Sequence, residues 1–285
     1  MHDTDKALIE RLTREASLFA SHAGESEDKG PVTYLVADCE FSFDRKRYKA
    51  FLGRFGSGDG KRKIPWPFHK LSAVAWLTFR FLPGSDVPIV EPPQVLSCDQ
   101  HSQTSMLTSL FDALRSSGPS RLVSWGGEVR DFAVLRHLAG VQGIVLPEHL
   151  RDGSPNARER LDLCRATTVQ SERVGLHEYA SGSGIPTKAS CPDQVGKRAE
   201  AGDMAAVRDH VLADVATTSI IALRYLHCHA LIVADQEKSA MAVAEAIRDA
   251  FPDSPFLCRD LYPWARDKLR AAGLRGEVFR APEPV

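Results

Sequence analysis

At roughly 100–200 residues per domain, 285 residues allow one large domain or two small ones. The composition, 43% hydrophobic and 26% charged, excludes a disordered, collagenous or coiled-coil chain. A formal net charge of -1 excludes a uniformly basic coat for nucleic acid but leaves room for a local basic patch.

No run approaches the roughly 20 apolar residues that span a bilayer, so no membrane partner is expected. The opening MHDTDKALIERLTREASLF carries acids early and lacks an apolar core, unlike a secretory signal. The cysteines (39, 98, 164, 191, 228, 258) are scattered, with no C-x-x-C pair, which reads as reduced thiols in a soluble, cytoplasmic protein.

Residues 4–20 have helical spacing, with Leu8, Leu12, Ala16 and Phe19 recurring, and a polar linker (21–31) follows. VTYLVADCEF is a β-rich apolar run ending in acids, the pattern of a buried strand. Residues 44–63, DRKRYKAFLGRFGSGDGKRK, hold eight Lys/Arg against two Asp and four glycines, and read as a basic, mobile loop. HKLSAVAWLTFRFL is a second strand and VPIVEPPQVLS a weaker third. Met106, Leu107, Leu110, Phe111 and Leu114 mark a helix, RLVSW a short fourth strand, and 128–139 another helix. Residues 151–200 read as irregular apart from a short helix near GLHEYA. A long helix runs from about Asp203 to about His229, and one or two more close the chain. The order predicts an α/β fold: a mixed sheet of three antiparallel strands, then parallel additions, flanked by helices. The expected parts are an N-terminal helix and linker (1–31), a main domain (32–230) and a C-terminal helical extension (231–285).

Three acidic stretches stand out. Asp38 and Glu40 are two apart at the end of a buried strand, so they share a face. Two such carboxylates repel unless a cation lies between them, and hard oxygen donors suit Mg²⁺ or Mn²⁺. Asp131 follows LVSWGG in the first turn of a helix, where the macrodipole favours an anion. His210 and Asp214 lie at i and i+4 on the long helix and share its face. Taken singly, each has an ordinary structural reading: strand-end acids, a helix cap, a surface pair.

Taken together, D-x-E, then Asp after S-W-x-G, then H-x-x-x-D resemble the DEDD superfamily of 3′–5′ exonucleases, which have a ribonuclease-H-like fold. More narrowly, YLVADCEF, IPWPFHKLSAVAWL, LVSWGGEVRDFAVLRHLA, LDLCRATT and AGDMAAVRDHVLADVATTSIIALRYL are similar to predicted exonucleases related to the proofreading domain of family-B DNA polymerases, over roughly residues 32–230. The resemblance implies two Mg²⁺ or Mn²⁺ ions held by Asp38, Glu40, Asp131 and Asp214. It gives His210 the place beside the attacking water. It implies single-stranded DNA or RNA 3′ ends as substrate, with nucleoside 5′-monophosphates as product. A catalytically weakened nucleic-acid-binding module of a larger complex, joined through the C-terminal helices, is the alternative.

This chain departs from the family in four places. His210 stands where the narrower group has Tyr, and the position one residue earlier, where the other large branch has His, is Asp209. Arg130 replaces an aromatic beside Asp131, and is placed to pair with it. Phe41 stands where a small hydroxyl residue is frequent, and Gly126 where Asn is. Asp162, outside the four-acid set, reads as a structural or capping residue. Candidate nucleic-acid contacts are Phe41, Arg45, Lys46, Arg47, Lys61, Arg62, Lys63 and Trp125; in the same basic loop Lys49 adds charge and Tyr48, Phe51 and Phe55 offer rings for base stacking, the alternative being a solvated loop. FGSGDGKRK fails the phosphate-loop spacing. His227-Cys228-His229 points its side chains apart on a helix and lacks a fourth ligand.

Overall fold

The computed structural model describes residues 30–56, 63–155, 157–168, 174–188 and 195–274, together with Thr13 and Glu172. The helix expected over 4–20 (Thr13 apart), and Lys61, Arg62 and Cys191, lie outside the described residues.

Six strands form one sheet: β1 (Val32–Phe43), β2 (His69–Phe81), β3 (Ile89–Val90), β4 (Gln94–Ser97), β5 (Ser120–Ser124) and β6 (Arg160–Asp162). Its order is β3-β2-β1-β5-β6, with β4 also on β2. The β1–β2, β2–β3 and β2–β4 pairs are antiparallel, and β1–β5 and β5–β6 are parallel. This is the mixed α/β sheet expected from the sequence. The proline-interrupted third strand is two short strands, since Pro92 and Pro93 supply no N–H for a continuous ladder.

The helices are α1 (Arg45–Phe55), α2 (Gln103–Ser116), α3 (Asp131–Gln142), α4 (Glu148–Arg151), α5 (Leu163–Thr167), α6 (Leu176–Gly182), α7 (Val195–Glu200), α8 (Met204–Cys228), α9 (Gln236–Ala250) and α10 (Tyr262–Gly273). A π-helical turn, Leu257–Leu261, leads into α10.

The two faces of β1 are buried in different cores. Leu35, Ala37, Cys39 and Phe41 pack with Leu107, Leu110 and Phe111 of α2 and Leu135 of α3. Tyr34 and Val36 face the other way, against Val211, Val215 and Ile220 of α8, and this second core runs on into Val243 of α9 and Ala265 of α10. Two-residue alternation puts Asp38 and Glu40 on the α8 side. α8 is by length and composition long enough and apolar enough to cross a membrane, but most of it is buried inside this core.

Two stretches differ from expectation. Residues 45–55 are helical rather than a loop. Asp44 caps them, accepting from the Arg47 backbone N–H at 3.0 Å, and Tyr48, Phe51 and Phe55 fall on one stripe. The glycines that suggested a loop begin only at Gly53. Within 151–200, β6, α5 and α7 also form. Three strand residues are too few to show periodicity, and β6 exists because β5 offers it an edge, with Val123 opposite Leu161. Among the described residues, Cys39 is buried, and Cys98, Cys228 and Cys258 are exposed thiols.

Candidate active site

Asp38 and Glu40 continue the face of Tyr34 and Val36 toward the carboxyl end of β1. There the apolar contact with α8 ends and polar groups begin. Opposite them on β2 stand Ala75 and Ala73, whose small side chains leave space. The register shifts between Glu40 and Phe41, so Ser72 is the extra residue on β2. Such a bulge turns the strand end locally. From the helix, His210, Asp214 and Thr217 lie at i, i+4 and i+7, a single stripe.

Asp131 comes from the carboxyl end of β5, beside and parallel to β1. The turn that delivers it has Gly126 at φ +76° and Gly127, where a Cβ would lie 2.6 Å from Ser124 Oγ and 2.7 Å from the Phe132 ring. Asp162 locks this turn: its carboxylate accepts from the N–H groups of Gly126 at 2.8 Å and Glu128 at 3.0 Å, and also from Cys164 at 3.0 Å, where it caps α5. A capping and structural role is what the sequence suggested. Behind it, Arg160 Nε meets Glu128 Oε1 at 2.7 Å, both side chains being buried. The same guanidinium donates to the carbonyls of His149, Asp152 and Ser154.

All four acids line one cavity of about 790 Å³, with His210 and Trp125. His210 is buried, and its Nε2 lies 3.3 Å from Glu40 Oε1 and 3.7 Å from Asp214 Oδ2. One donor atom each from Glu40, His210 and Asp214 falls within a 4.8 Å span, compact enough for a metal ion.

Burial pushes Asp38 far above the ordinary carboxylate range, and Asp214, Glu40 and Asp131 push it further. Asp131 is pushed up to about 7, mainly by burial, against the pull of Arg130, whose Nε lies 3.4 Å from Asp131 Oδ1. Asp214 is also raised by burial, with Lys188 and His210 opposing. These acids strain against one another and demand positive charge.

Lys188, which no sequence signal marked, supplies some of it. Its Nζ contacts both Asp214 Oδ2 and His210 Nε2. The segment carrying it is strapped down: Trp264 Nε1 donates to Gly184 O at 2.9 Å, Arg224 Nη1 to Ser183 O at 2.8 Å and Thr217 Oγ1 to Pro186 O at 3.2 Å. Asp209, in contrast, turns away and accepts from Ser254 Oγ at 2.5 Å.

Of the candidate nucleic-acid contacts, Phe41, Arg45, Lys63 and Trp125 line the cavity. Phe41 is buried, with the Arg130 guanidinium 5.4 Å from its ring centroid. Arg45 pairs with Glu200, Nε to Oε1 at 2.8 Å. Lys46 and Arg47 are exposed on α1. His227 and His229 bind locally, His227 Nδ1 accepting from the Ala234 N–H and His229 stacking on Tyr225.

Among solved structures, the chain is similar to the family B DNA polymerase from the hyperthermophilic archaeon Pyrobaculum calidifontis (15% identity, TM-score 0.49, 75% of this chain and 29% of that one). It is also similar to a product-bound exonuclease I (13% identity, TM-score 0.40, 70% of this chain and 43% of that one). It thus spans less than half the length of either. No curated protein matches. The model of the family described as "Predicted 3'-5' exonuclease related to the exonuclease domain of PolB" matches residues 63–257, a span that holds Asp131, Lys188, His210 and Asp214, while Asp38 and Glu40 precede it. With more than half of its length matched, this chain belongs to that family of PolB-type 3′–5′ exonucleases.

Proposed function

We propose that the exonuclease degrades single-stranded DNA from the 3′ end, releasing nucleoside 5′-monophosphates, with two Mg²⁺ or Mn²⁺ held by Asp38, Glu40, Asp131 and Asp214. The observation that carries this reading is the meeting of four carboxylates from three distant segments in one cavity, where burial drives Asp38 far above its ordinary range and the other three push it further. Hard oxygen donors that repel one another fit divalent cations of this class. When bound, such ions supply positive charge to the attacked phosphate and to the entering and leaving oxygens.

The chain's own groups do the rest. His210 Nε2, facing Glu40, orients the attacking water and takes its proton. The water oxygen bonds to phosphorus as the P–O3′ bond breaks. The leaving oxygen takes up a proton and becomes the new 3′-hydroxyl, and the phosphate departs on the released nucleotide. Lys188 neutralises Asp214 and donates to His210 Nε2, and with a cation held by the acids its ammonium would be free for a phosphate oxygen. Arg130 holds Asp131 in place. Trp125 walls the pocket for the terminal nucleotide, and Arg45, Lys46, Arg47, Lys61, Arg62 and Lys63 attract the backbone.

A 5′-labelled single-stranded oligonucleotide tests this. With Mg²⁺ or Mn²⁺ it is expected to shorten stepwise from its 3′ end, and not at all with chelator or with Asp38→Ala. Cleavage that survives either change overturns the proposal.

A further inference from the structure

β1 and β2 are directly paired, with Phe43 opposite His69, so a two-residue turn would suffice to join them. Residues 44–68 stand there instead, at the same end of the sheet as Asp38 and Glu40. The root of this arm is fixed. Asp44 N–H donates to Phe68 O at 2.7 Å, His69 Nε2 lies 3.2 Å from Ile64 O, and Arg45 reaches Glu200 with Nε and Nη2 at 2.8 and 3.0 Å.

Beyond that root, α1 buries no residue. Its aromatic rings form a ladder. Tyr48 and Phe51 lie near-parallel at 6.4 Å, Phe51 and Phe55 lie tilted at 5.1 Å, and Phe68 backs both Tyr48 and Phe51. Phe51 is 41% and Phe55 73% exposed. Lys46, Arg47, Lys49 and Arg54 are exposed on the same helix. Asp44 is the one acid among the arm's described residues, and it is occupied as the helix cap and by Lys70 at 3.7 Å. In a chain whose net charge is -1, so basic a helix sets this surface apart from the rest.

The geometry points to α1 as a grip for an unpaired nucleic-acid strand, with bases 5′ of the cut bond stacked on Phe51 and Phe55 and their phosphates beside Lys46, Arg47, Lys49 and Arg54. Two features favour this occupant. Phe43, Arg45 and Lys63 at the arm's root line the cavity that holds the acids, so a strand leaving the cavity meets the arm next. Exposed ring faces can stack only on bases that are not already stacked in a duplex. A basic helix bearing aromatics also suits an anionic bilayer, but a bilayer has no need of that continuity. The grip deepens the exonuclease reading, resting on it for the direction of the strand but not for binding itself.

The test is fluorescence anisotropy of a labelled 12-nucleotide single strand, the same sequence as a blunt duplex, and phosphatidylserine vesicles, all in chelator with the full chain. The single strand is expected to bind at least about tenfold tighter than the duplex. Phe51→Ala/Phe55→Ala is expected to weaken it about thirtyfold or more, from ~1–3 kcal/mol per stacked base. Phe51→Leu/Phe55→Leu, which keeps apolar bulk but removes the rings, is expected to lose as much while melting like the wild type. Replacing Lys46, Arg47 and Lys49 by Gln is expected to reduce the slope of log K against log salt by about 2. Unchanged strand affinity in both phenylalanine variants, or binding to vesicles but not to the strand, overturns the grip. An Asp38→Asn protein that binds the strand without cutting it leaves the grip standing. A wild type that binds the strand but never shortens it with metal overturns the hydrolytic reading alone.

Discussion

Replacing Asp131 by Asn should stabilise the metal-free protein at alkaline pH. The Asp131 carboxyl is pushed from 3.8 to about 7 in the folded chain. Between those values the folded state holds a proton that the unfolded state has lost. Stability linked to this group is therefore fully present below pH 4, declines as pH rises, and is gone above about 7. At ~1.4 kcal/mol per pK unit, the charged form costs the fold up to about 4 kcal/mol at pH 8. Asn removes that cost but gives up the ionic contact with Arg130, so the net gain is smaller. At ~2–4 °C per kcal/mol, the metal-free variant should melt at least about 4 °C above the wild type at pH 8, and level with it near pH 4. Saturating Mg²⁺ should reverse the order at pH 8, because the cation stabilises the wild type by mass action and the variant has lost a ligand. Differential scanning fluorimetry across pH 4–9, with chelator or Mg²⁺, reads all of this. A metal-free variant that melts below the wild type at pH 8, or a difference that does not vary with pH, refutes the reasoning.

His210→Ala should cut turnover sharply while leaving metal affinity mostly intact. Parallel loss of both in a Mn²⁺ titration makes His210 a ligand instead. Lys188→Met removes an ammonium that competes for Asp214, so Mg²⁺ should bind several-fold tighter by calorimetry, and weaker binding contradicts this placement of the lysine. Arg160→Met strands the buried Glu128 and should cost ~3–5 kcal/mol in urea unfolding, whereas a loss below ~1 kcal/mol means that the pair does not hold the Asp131 turn.

How much was legible depends on what each segment packs against. β1, β2, β5 and α8 have uninterrupted buried faces, and their runs of Val, Leu and Ala announce them. The acids at the end of β1 and the i, i+4 pair on α8 could be placed on faces by periodicity alone, and Asp162 was readable as a cap. Their meeting was not, since it depends on how β1, β5 and α8 cross, and only the combined pattern suggested it. α1 was hidden because it has no core to face and its charges and following glycines suggested a loop; its rings were readable as stacking groups, but their common stripe was not. β6 was hidden by its brevity. Lys188 was hidden because it sits on an irregular strap fixed by Trp264, Arg224 and Thr217, none of them near it in sequence. Phe41 was read as a contact for nucleic acid, yet its side chain is on the face of β1 that packs against α2 and α3.

The stoichiometry of Mn²⁺ binding, followed by paramagnetic resonance or calorimetry on the intact chain at pH 8, tests the central claim most directly. The account predicts two ions per chain, with binding abolished or halved by Asp38→Asn. No saturable binding, or binding indifferent to that substitution, contradicts it.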